Sequence, residues 1–220
     1  MLAKHCPICD RLISHSDVIC PDCRNSFEKE LFDNFMTRCN NCGYPLVADL
    51  YECPHCREFH NFYVYSLSPY SSYFSRRILE FYKFNGKKSL SKFIAQCFDK
   101  HINDTDAVVT WVPCSPESLK KRGWDQMKEI ALKMKNKAVC LLLNSGISVQ
   151  QKTLTKEQRM TVSQNKYLLS ENNAAMLSKI TPIILIDDVM TTGNTLYACY
   201  LLLKNYGFTD VRCMTLLCEL

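Results

Sequence analysis

Asp187 and Asp188 stand two residues before the run Thr191-Thr192-Gly193-Asn194-Thr195, and no other stretch of the chain is so dense in groups that could do chemistry. Backbone amides of that loop, the hydroxyls of Thr191, Thr192 and Thr195, and the positive end of a following helix together suit a phosphate. Gly193 lets the backbone approach such a ligand closely. The elements that must hold this loop are legible on either side. Ile183, Ile184, Leu185 and Ile186 predict a buried parallel strand with the two carboxylates at its carboxyl end. Leu196, Cys199, Tyr200 and Leu203 recur at helical spacing after the loop. A strand, a loop and a helix N-terminus in that order form the carboxyl edge of an open α/β sheet, where such folds bind ligands. An ordinary strand–turn–helix with a polar turn is the alternative. General acid–base work by the paired acids is weaker still, because the Thr/Gly loop already implies a phosphate.

Cysteine supplies the second chemistry. Eight of the 14 cysteines form four C-x2-C pairs, Cys6/Cys9, Cys20/Cys23, Cys39/Cys42 and Cys53/Cys56. The spacing Cys6-x2-Cys9-x10-Cys20-x2-Cys23 repeats as Cys39-x2-Cys42-x10-Cys53-x2-Cys56. Each half offers four soft thiolates, enough for one closed tetrahedral structural zinc. Two zinc ions held by sequential pairs are expected. An interleaved pairing, or a single ion with one degenerate set, stays open on spacing alone. Segments this short bury too little apolar area to fold alone, so metal would supply the missing stability. His5, His15, His55 and His60 have no necessary role beside two complete thiolate sets and are expected to be solvated. Cys97, Cys114, Cys140, Cys199, Cys213 and Cys218 stand singly and are expected to behave as small buried hydrophobes.

At 220 residues the chain has room for one medium domain and a small appendage. A composition 47% hydrophobic and 22% charged is that of a globular protein. No apolar run reaches the roughly 20 residues that span a bilayer, and the first residues lack an apolar signal segment. Paired cysteines then point to a reducing, cytoplasmic setting and to metal rather than disulfides. Residues 1–62 carry six basic against nine acidic side chains, a net of −3, and the remainder carries 21 against 13, a net of +8. The basic surface therefore belongs mainly to the second part.

Three segments follow: a zinc-ribbon module over 1–60, an aromatic linker over 61–75 and an α/β domain over 76–220. Phe27, Leu31, Phe32 and Phe35 suggest one short packing helix within 25–37. The aromatic run around the linker (Phe59, Phe62, Tyr63, Tyr65, Tyr70, Tyr73, Phe74) reads as a stacking platform for single-stranded nucleic acid or as an edge strand that docks the first module. Arg76, Arg77, Lys83, Lys87, Lys88 and Lys92 face only Glu80, which suggests an anionic partner. Residues 106–113 read as the first core strand, with a polar, basic loop at 114–123, a helix opening at Trp124-Asp125-Gln126, and a further strand at 139–143. Residues 150–162 look like a mobile cationic segment. Gly207 is a helix C-cap and 211–218 a last strand. Strands alternating with helices indicate a parallel α/β sheet.

The 182–195 run resembles the 5-phosphoribosyl-1-pyrophosphate (PRPP) motif of type I phosphoribosyltransferases. With the cysteine knuckles, Val112-Pro113-Cys114-Ser115, Lys120-Lys121-Arg122-Gly123-Trp124-Asp125-Gln126 and Gln151-Lys152-Thr153-Leu154-Thr155-Lys156-Glu157-Gln158-Arg159, the whole chain resembles the ComF (ComFC) family. It departs from that family's pattern at Ser115 (usually Pro), Trp124 (Phe) and Asp125 (Asn). The resemblance implies a type I phosphoribosyltransferase-like parallel sheet flanked by helices, with a small Cys-rich double zinc-ribbon module. It also implies that Asp187 and Asp188 contact the ribose hydroxyls directly or through Mg²⁺, and that Thr191, Thr192, Gly193, Asn194 and Thr195 hold the 5′-phosphate. Lys120, Lys121 and Arg122 are candidates for the pyrophosphate, and Lys152 and Arg159 for a lid over it. Handling of single-stranded DNA in the cytoplasm during transformation is the role the resemblance implies. The competing readings are an enzyme that transfers phosphoribosyl to an acceptor, a non-enzymatic PRPP-sensing adaptor that contacts a DNA-uptake helicase through its zinc module, and a direct single-stranded DNA binder.

Overall fold

The computed structural model describes residues 3–46, 53–59, 62–146 and 166–220. The chain opens with two copies of one small unit. Strands β1 (Lys4–His5) and β2 (Leu12–Ile13) pair around Cys6 and Cys9, and Cys20 caps helix α1 (Pro21–Lys29). A 3₁₀ turn (Phe32–Asn34) then leads to β3 (Thr37–Arg38) and β4 (Pro45–Leu46), paired around Cys39 and Cys42, before Cys53 caps α2 (Pro54–Glu58). The single helix expected within 25–37 is therefore a helix and a separate turn, and Phe35 stays exposed. The repeat reaches the backbone: after the second cysteine of each knuckle, Asp10 and Gly43 both hold φ near the left-handed region, at 62° and 72°. Gly43 has a further reason, since a Cβ there would meet the Tyr63 ring at 2.8 Å.

The main sheet has five parallel strands in the order β5-β11-β10-β6-β7. These are β5 (Val64–Pro69), β6 (Val108–Trp111), β7 (Lys137–Ala138), β10 (Ile183–Met190) and β11 (Val211–Cys218). A separate antiparallel pair, β8 (Leu142–Asn144) and β9 (Tyr167–Leu169), lies beside it. Helices α3 (Tyr73–Lys83), α4 (Leu90–Asp99), α5 (Pro116–Arg122), α6 (Gln126–Ala131), α7 (Glu171–Ala175) and α8 (Asn194–Tyr206) complete the order. Among the described residues no helix is long and apolar enough to cross a membrane.

Several expectations shift. Of the two readings of the aromatic run, the edge strand holds for residues 64–69: β5 flanks the sheet, so β6, expected as the first core strand, is its second strand in chain order. The aromatic run accordingly splits: Phe59 and Phe62 are buried while Tyr63, Tyr70 and Tyr73 stay exposed. The basic loop at 114–123 is helix α5, started by Ser115 Oγ accepting from Ser118 N and stopped at Gly123. Of the strand expected at 139–143 only Leu142 and Leu143 are strand, in β8, while the sheet strand β7 ends just before it at Ala138. Asp125 accepts from Met127 N and Lys128 N, which makes it the N-cap of α6.

Strand parity distributes the core over two faces. Ile184 and Ile186 pack with Ile78, Tyr82, Phe93, Met127 and Ile130 from α3, α4 and α6. Ile183 and Leu185 pack with Leu196, Cys199 and Leu203 from α8. The two cysteine units divide between the same faces. Ile8, Ile19 and Phe27 of the first join the α3/α4 side, while Phe32, Phe59 and Phe62, from the turn onward, join the α8 side. The N-terminal residues thus straddle edge strand β5. Arg38 ties the second unit there, donating to Ser66 O at 2.9 Å with its guanidinium 3.7 Å from the Tyr65 ring centroid.

Helix α3 has no cap of its own from Ser72. Its first amides are satisfied from the N-terminal residues instead: Glu30 accepts from Phe74 N at 2.9 Å, Ser75 N at 2.7 Å and Ser75 Oγ at 2.8 Å. Charge-assisted bonds to orphan helix amides are among the stronger ones. Glu30→Ala should cost about 1–2 kcal/mol, the upper range of a lost cap, and Glu30→Gln less, measured by urea unfolding at constant zinc.

Candidate functional site

The site arises from a difference in strand length. Pairing of β6 with β10 ends at Trp111 and Ile186, whereas β10 continues against β11 as far as Met190. Asp187 and Asp188 therefore lie inside a strand rather than at its end, but beyond the reach of β6. The chain leaves β10 through α8 towards β11 and leaves β6 through α5 and α6 towards β7, in opposite directions across the sheet. A crevice opens where such connections diverge. It is a cavity of about 420 Å³ lined by Lys83, Val112, Pro113, Cys114, Ser115, Ser118, Lys121, Arg122, Gln126, Lys166, Tyr167, Asp187, Asp188 and Thr195, within the size range of small-ligand sites.

Because side chains alternate across a strand, the doubled acid is divided between the two faces. Asp188 shares the parity of Ile184 and Ile186 and meets the α3/α6 side. Its Oδ2 lies 2.7 Å from Lys83 Nζ and accepts from Gln126 Nε2. Asp187 shares the parity of Leu185, and its Oδ1 accepts from Asp188 N at 2.9 Å. Burial, and next the charge of Asp188, raise the Asp187 carboxyl well above its ordinary range. The pair thus comprises one acid with a matched cation and one that holds its proton more readily until a cation or donor arrives.

Of the expected phosphate loop, Thr195 lines the cavity; Thr191 and Thr192 are exposed beside it and Asn194 is half-buried. Gly193 holds φ at 78°, and a Cβ there would meet the Phe59 ring at 3.3 Å. Packing from the second cysteine unit is thus a reason for glycine that the loop's own sequence did not disclose. Lys121 and Arg122 reach the cavity from the last turn of α5, while Lys120 is exposed and is not among the lining residues. Lys152 and Arg159, expected over the pyrophosphate, lie outside the described residues. Lys83, Gln126, Lys166 and Tyr167 were not expected here. Lys83 follows Tyr82 of the α3 apolar stripe, a sequence cue that it sits at the boundary of the core.

Thiol geometry was the other expectation. Cys6, Cys9, Cys20 and Cys23 converge, as do Cys39, Cys42, Cys53 and Cys56, with ligand atoms of each set within 4.8 Å of one another. The pairs combine sequentially, not interleaved. Sγ–Sγ separations of 3.6 Å (Cys9–Cys20), 3.6 Å (Cys39–Cys56) and 3.7 Å (Cys42–Cys53) are far too long for disulfides. They approach the edge of about 3.8 Å that a tetrahedron with Zn–S near 2.3 Å requires. Both sets therefore fit zinc. Burial pushes the Cys6 thiol up, but amides of Cys20, Cys9 and Ile8 outweigh it and bring it down to about 7. Cys39 behaves alike: burial raises it, the amides of Cys42 and Asn41 lower it, and it comes to about 7. Burial raises Cys23 and Cys42 and takes Cys56 up to about 11. His55 is not solvated. It is buried, stacked on Tyr44 at 5.0 Å, lowered to about 4 by burial, and its ring nitrogens have no partner among the described residues.

A family model described as the phosphoribosyl transferase domain matches residues 120–219. No curated protein matches significantly. Three solved structures are similar in part. An allosteric regulatory enzyme of purine biosynthesis aligns over 59% of this chain and 26% of its own, at 16% identity and a TM-score of 0.41. A hypoxanthine phosphoribosyltransferase from Staphylococcus aureus aligns over 60% and 62%, at 12% and 0.36. An adenine phosphoribosyl transferase from Trypanosoma brucei, in complex with AMP, pyrophosphate and ribose-5-phosphate, aligns over 94% and 81%, at 12% and 0.36. The chain therefore spans about a quarter of the length of the first. The parallel sheet flanked by helices is a phosphoribosyltransferase-like fold.

Elemental analysis of the purified protein should find two zinc ions, and Cys23→Ser should remove one without the other. Refilling the metal-free protein should release protons, because burial keeps the Cys23, Cys42 and Cys56 thiols protonated at neutral pH. The calorimetric heat should then change with the ionisation enthalpy of the buffer.

Proposed function

We propose that the crevice binds PRPP with Mg²⁺ and that the protein acts in cytoplasmic handling of single-stranded DNA during transformation or DNA uptake, with transfer of phosphoribosyl to an acceptor as its chemistry. The observation that carries the PRPP reading is the juxtaposition of two carboxylates, four cations (Lys83, Lys121, Arg122 and Lys166) and Thr195 of the Thr/Gly loop at a helix start, in one crevice at the diverging point of the sheet. Asp187 and Asp188 would orient the ribose hydroxyls. The amides and hydroxyls of residues 191–195 would hold the 5′-phosphate, with the N-terminus of the 13-residue α8 behind them. Transfer breaks the bond from ribose C1 to pyrophosphate oxygen and forms one from C1 to the acceptor. Positive charge grows on the ring while negative charge leaves with the pyrophosphate. Lys121 and Arg122 would stabilise the departing anion from the far wall without touching the ring. Magnesium, when bound, would add charge neutralisation on the pyrophosphate. Lys152 and Arg159 remain the residues for a cover that keeps water from C1. No side chain in the cavity stands out as a base for the acceptor.

Support for the nucleic-acid part comes from a second cleft. About 450 Å³ between the first cysteine unit and the main domain is lined by Lys4, Lys88, Lys92 and Lys133, with Ser16, Ser89 and Ser91, against the single acid Glu129. The patch expected over 76–92 is otherwise partly consumed: Arg76 lies 3.5 Å from Glu80, Arg77 bonds the Tyr73 hydroxyl, and Lys83 turns into the crevice. The second reading, a PRPP-sensing adaptor contacting a helicase, draws on the acidic balance of residues 1–62, which favours protein contact there.

Asp187→Ala combined with Asp188→Ala should abolish Mg²⁺-dependent PRPP binding in calorimetry while circular dichroism stays unchanged; full retained affinity would remove the assignment. Pyrophosphate release with a panel of bases supports the enzyme, and binding without release supports the adaptor. Lys88→Gln with Lys92→Gln should weaken single-stranded DNA binding and lower its salt slope by about 0.7 per lost phosphate contact.

A further inference from the structure

Lys83 is a cation inside the crevice whose partner is an acid rather than a ligand. Its Nζ stands 2.7 Å from Asp188 Oδ2, and the two side chains are only 18% and 11% exposed. The same oxygen accepts from Gln126 Nε2. The oxygen that faces the α3/α6 wall is therefore covered twice.

The stem that delivers this ammonium is firmly held. Tyr82, the preceding residue, is fully buried, donates to Gln126 O at 2.7 Å and meets the Trp124 ring edge-on at 4.8 Å. At the other end of α3, Glu30 grips the first amides. Only the flexible side chain of Lys83 is free to swing, and it shares the cavity with Lys121 and Arg122.

We propose that Lys83 is a tethered counter-cation for Asp188, which a divalent ion must displace and which then moves to the polyphosphate of the incoming ligand. The proposal rests on the PRPP reading of this cavity and adds how metal and ligand are coupled there. A carboxylate oxygen cannot hold an ammonium and, at about 2.1 Å, a magnesium ion without strong repulsion between the cations. An ion that binds Oδ2 by itself breaks the pair, with no new anion for Lys83. Arriving with a phosphorylated ligand, it leaves Lys83 a fresh partner. The metal thus binds weakly by itself and tightly with ligand, and by linkage the ligand needs the metal equally.

Mn²⁺ binding to the zinc-loaded full chain, read by electron paramagnetic resonance, tests this. Without PRPP, Lys83→Met should bind Mn²⁺ about tenfold tighter, as expected when a half-buried competing charge is removed. Added PRPP should then tighten Mn²⁺ less than in the wild type, and Lys83→Arg should behave as the wild type does. Equal or weaker Mn²⁺ binding by Lys83→Met overturns the proposal. Wild-type protein gives an independent reading: Mn²⁺ alone should speed acylation of Lys83 by an N-hydroxysuccinimide ester, followed by peptide mass spectrometry. An unchanged rate also overturns it. Should the wild type bind no PRPP, the ligand assignment of the cavity falls, whereas Mn²⁺-driven release of Lys83 would still establish the displaceable pair.

Discussion

The candidate site depends on one mismatch in the sheet: β10 runs four residues beyond the point where β6 stops pairing with it. Within the paired stretch both faces are largely apolar, and the buried Thr110 there has its own partner, accepting from Leu141 N at 3.2 Å. Beyond Trp111 the flank of β10 is open, and polar side chains there face a crevice instead of a neighbouring strand. Two carboxylates are tolerable only at this place. One residue earlier they would replace Ile186 in the core, where unpaired charges are very costly.

The N-terminal residues do more than gather thiols. They close the sheet at its β5 edge, which would otherwise present unpaired backbone groups, and each cysteine unit presses on one face. The first unit leads to Glu30, which caps α3 and so anchors the helix that ends in Lys83. The second leads to Phe59, whose ring lies against Gly193 and 4.9 Å from the Tyr197 ring at the start of α8. Both walls of the crevice are thus braced by the cysteine units. Folding of the thiolate clusters and order in the loop at 191–195 are physically linked through contact, not through the chain between them.

Charge is arranged with the same economy. The two acids occupy opposite faces of one strand, so their environments diverge. Asp188 has a cation and an amide donor; Asp187 has burial and a like charge. Lys121 and Arg122 approach from α5, a short helix whose last turn favours cations through its carbonyl ends. Ser115 and Asp125 serve as helix caps, and Trp124 packs on Tyr82. They therefore have local structural work in the wall of the crevice.

Local pattern decided a good deal. The four-residue apolar run, the helical stripe after it, Gly207 at the helix end and the repeated cysteine spacing are short-range features, and each appears where its spacing required. Segments whose state depends on distant partners were not legible. The aromatic run could be read as a stacking platform or as an edge strand, and only the ladder that β11 supplies to Val64–Pro69 decides for the strand. Residues 116–122 look like a loop because their capped helix buries none of its side chains and so has no apolar stripe. Lys83 reads as one more surface cation, and His55 as a solvated residue, because sequence carries no record of what lies across the fold. The sequence by itself determined which residues could ligate metal and which loop could face a phosphate, since both follow from residue type and spacing. Only the tertiary structure decided that the thiolates gather in sequential sets, that Lys120 stands outside the crevice, and that Lys83 enters it. Those outcomes are set by strand length, parity and packing between segments far apart in the chain.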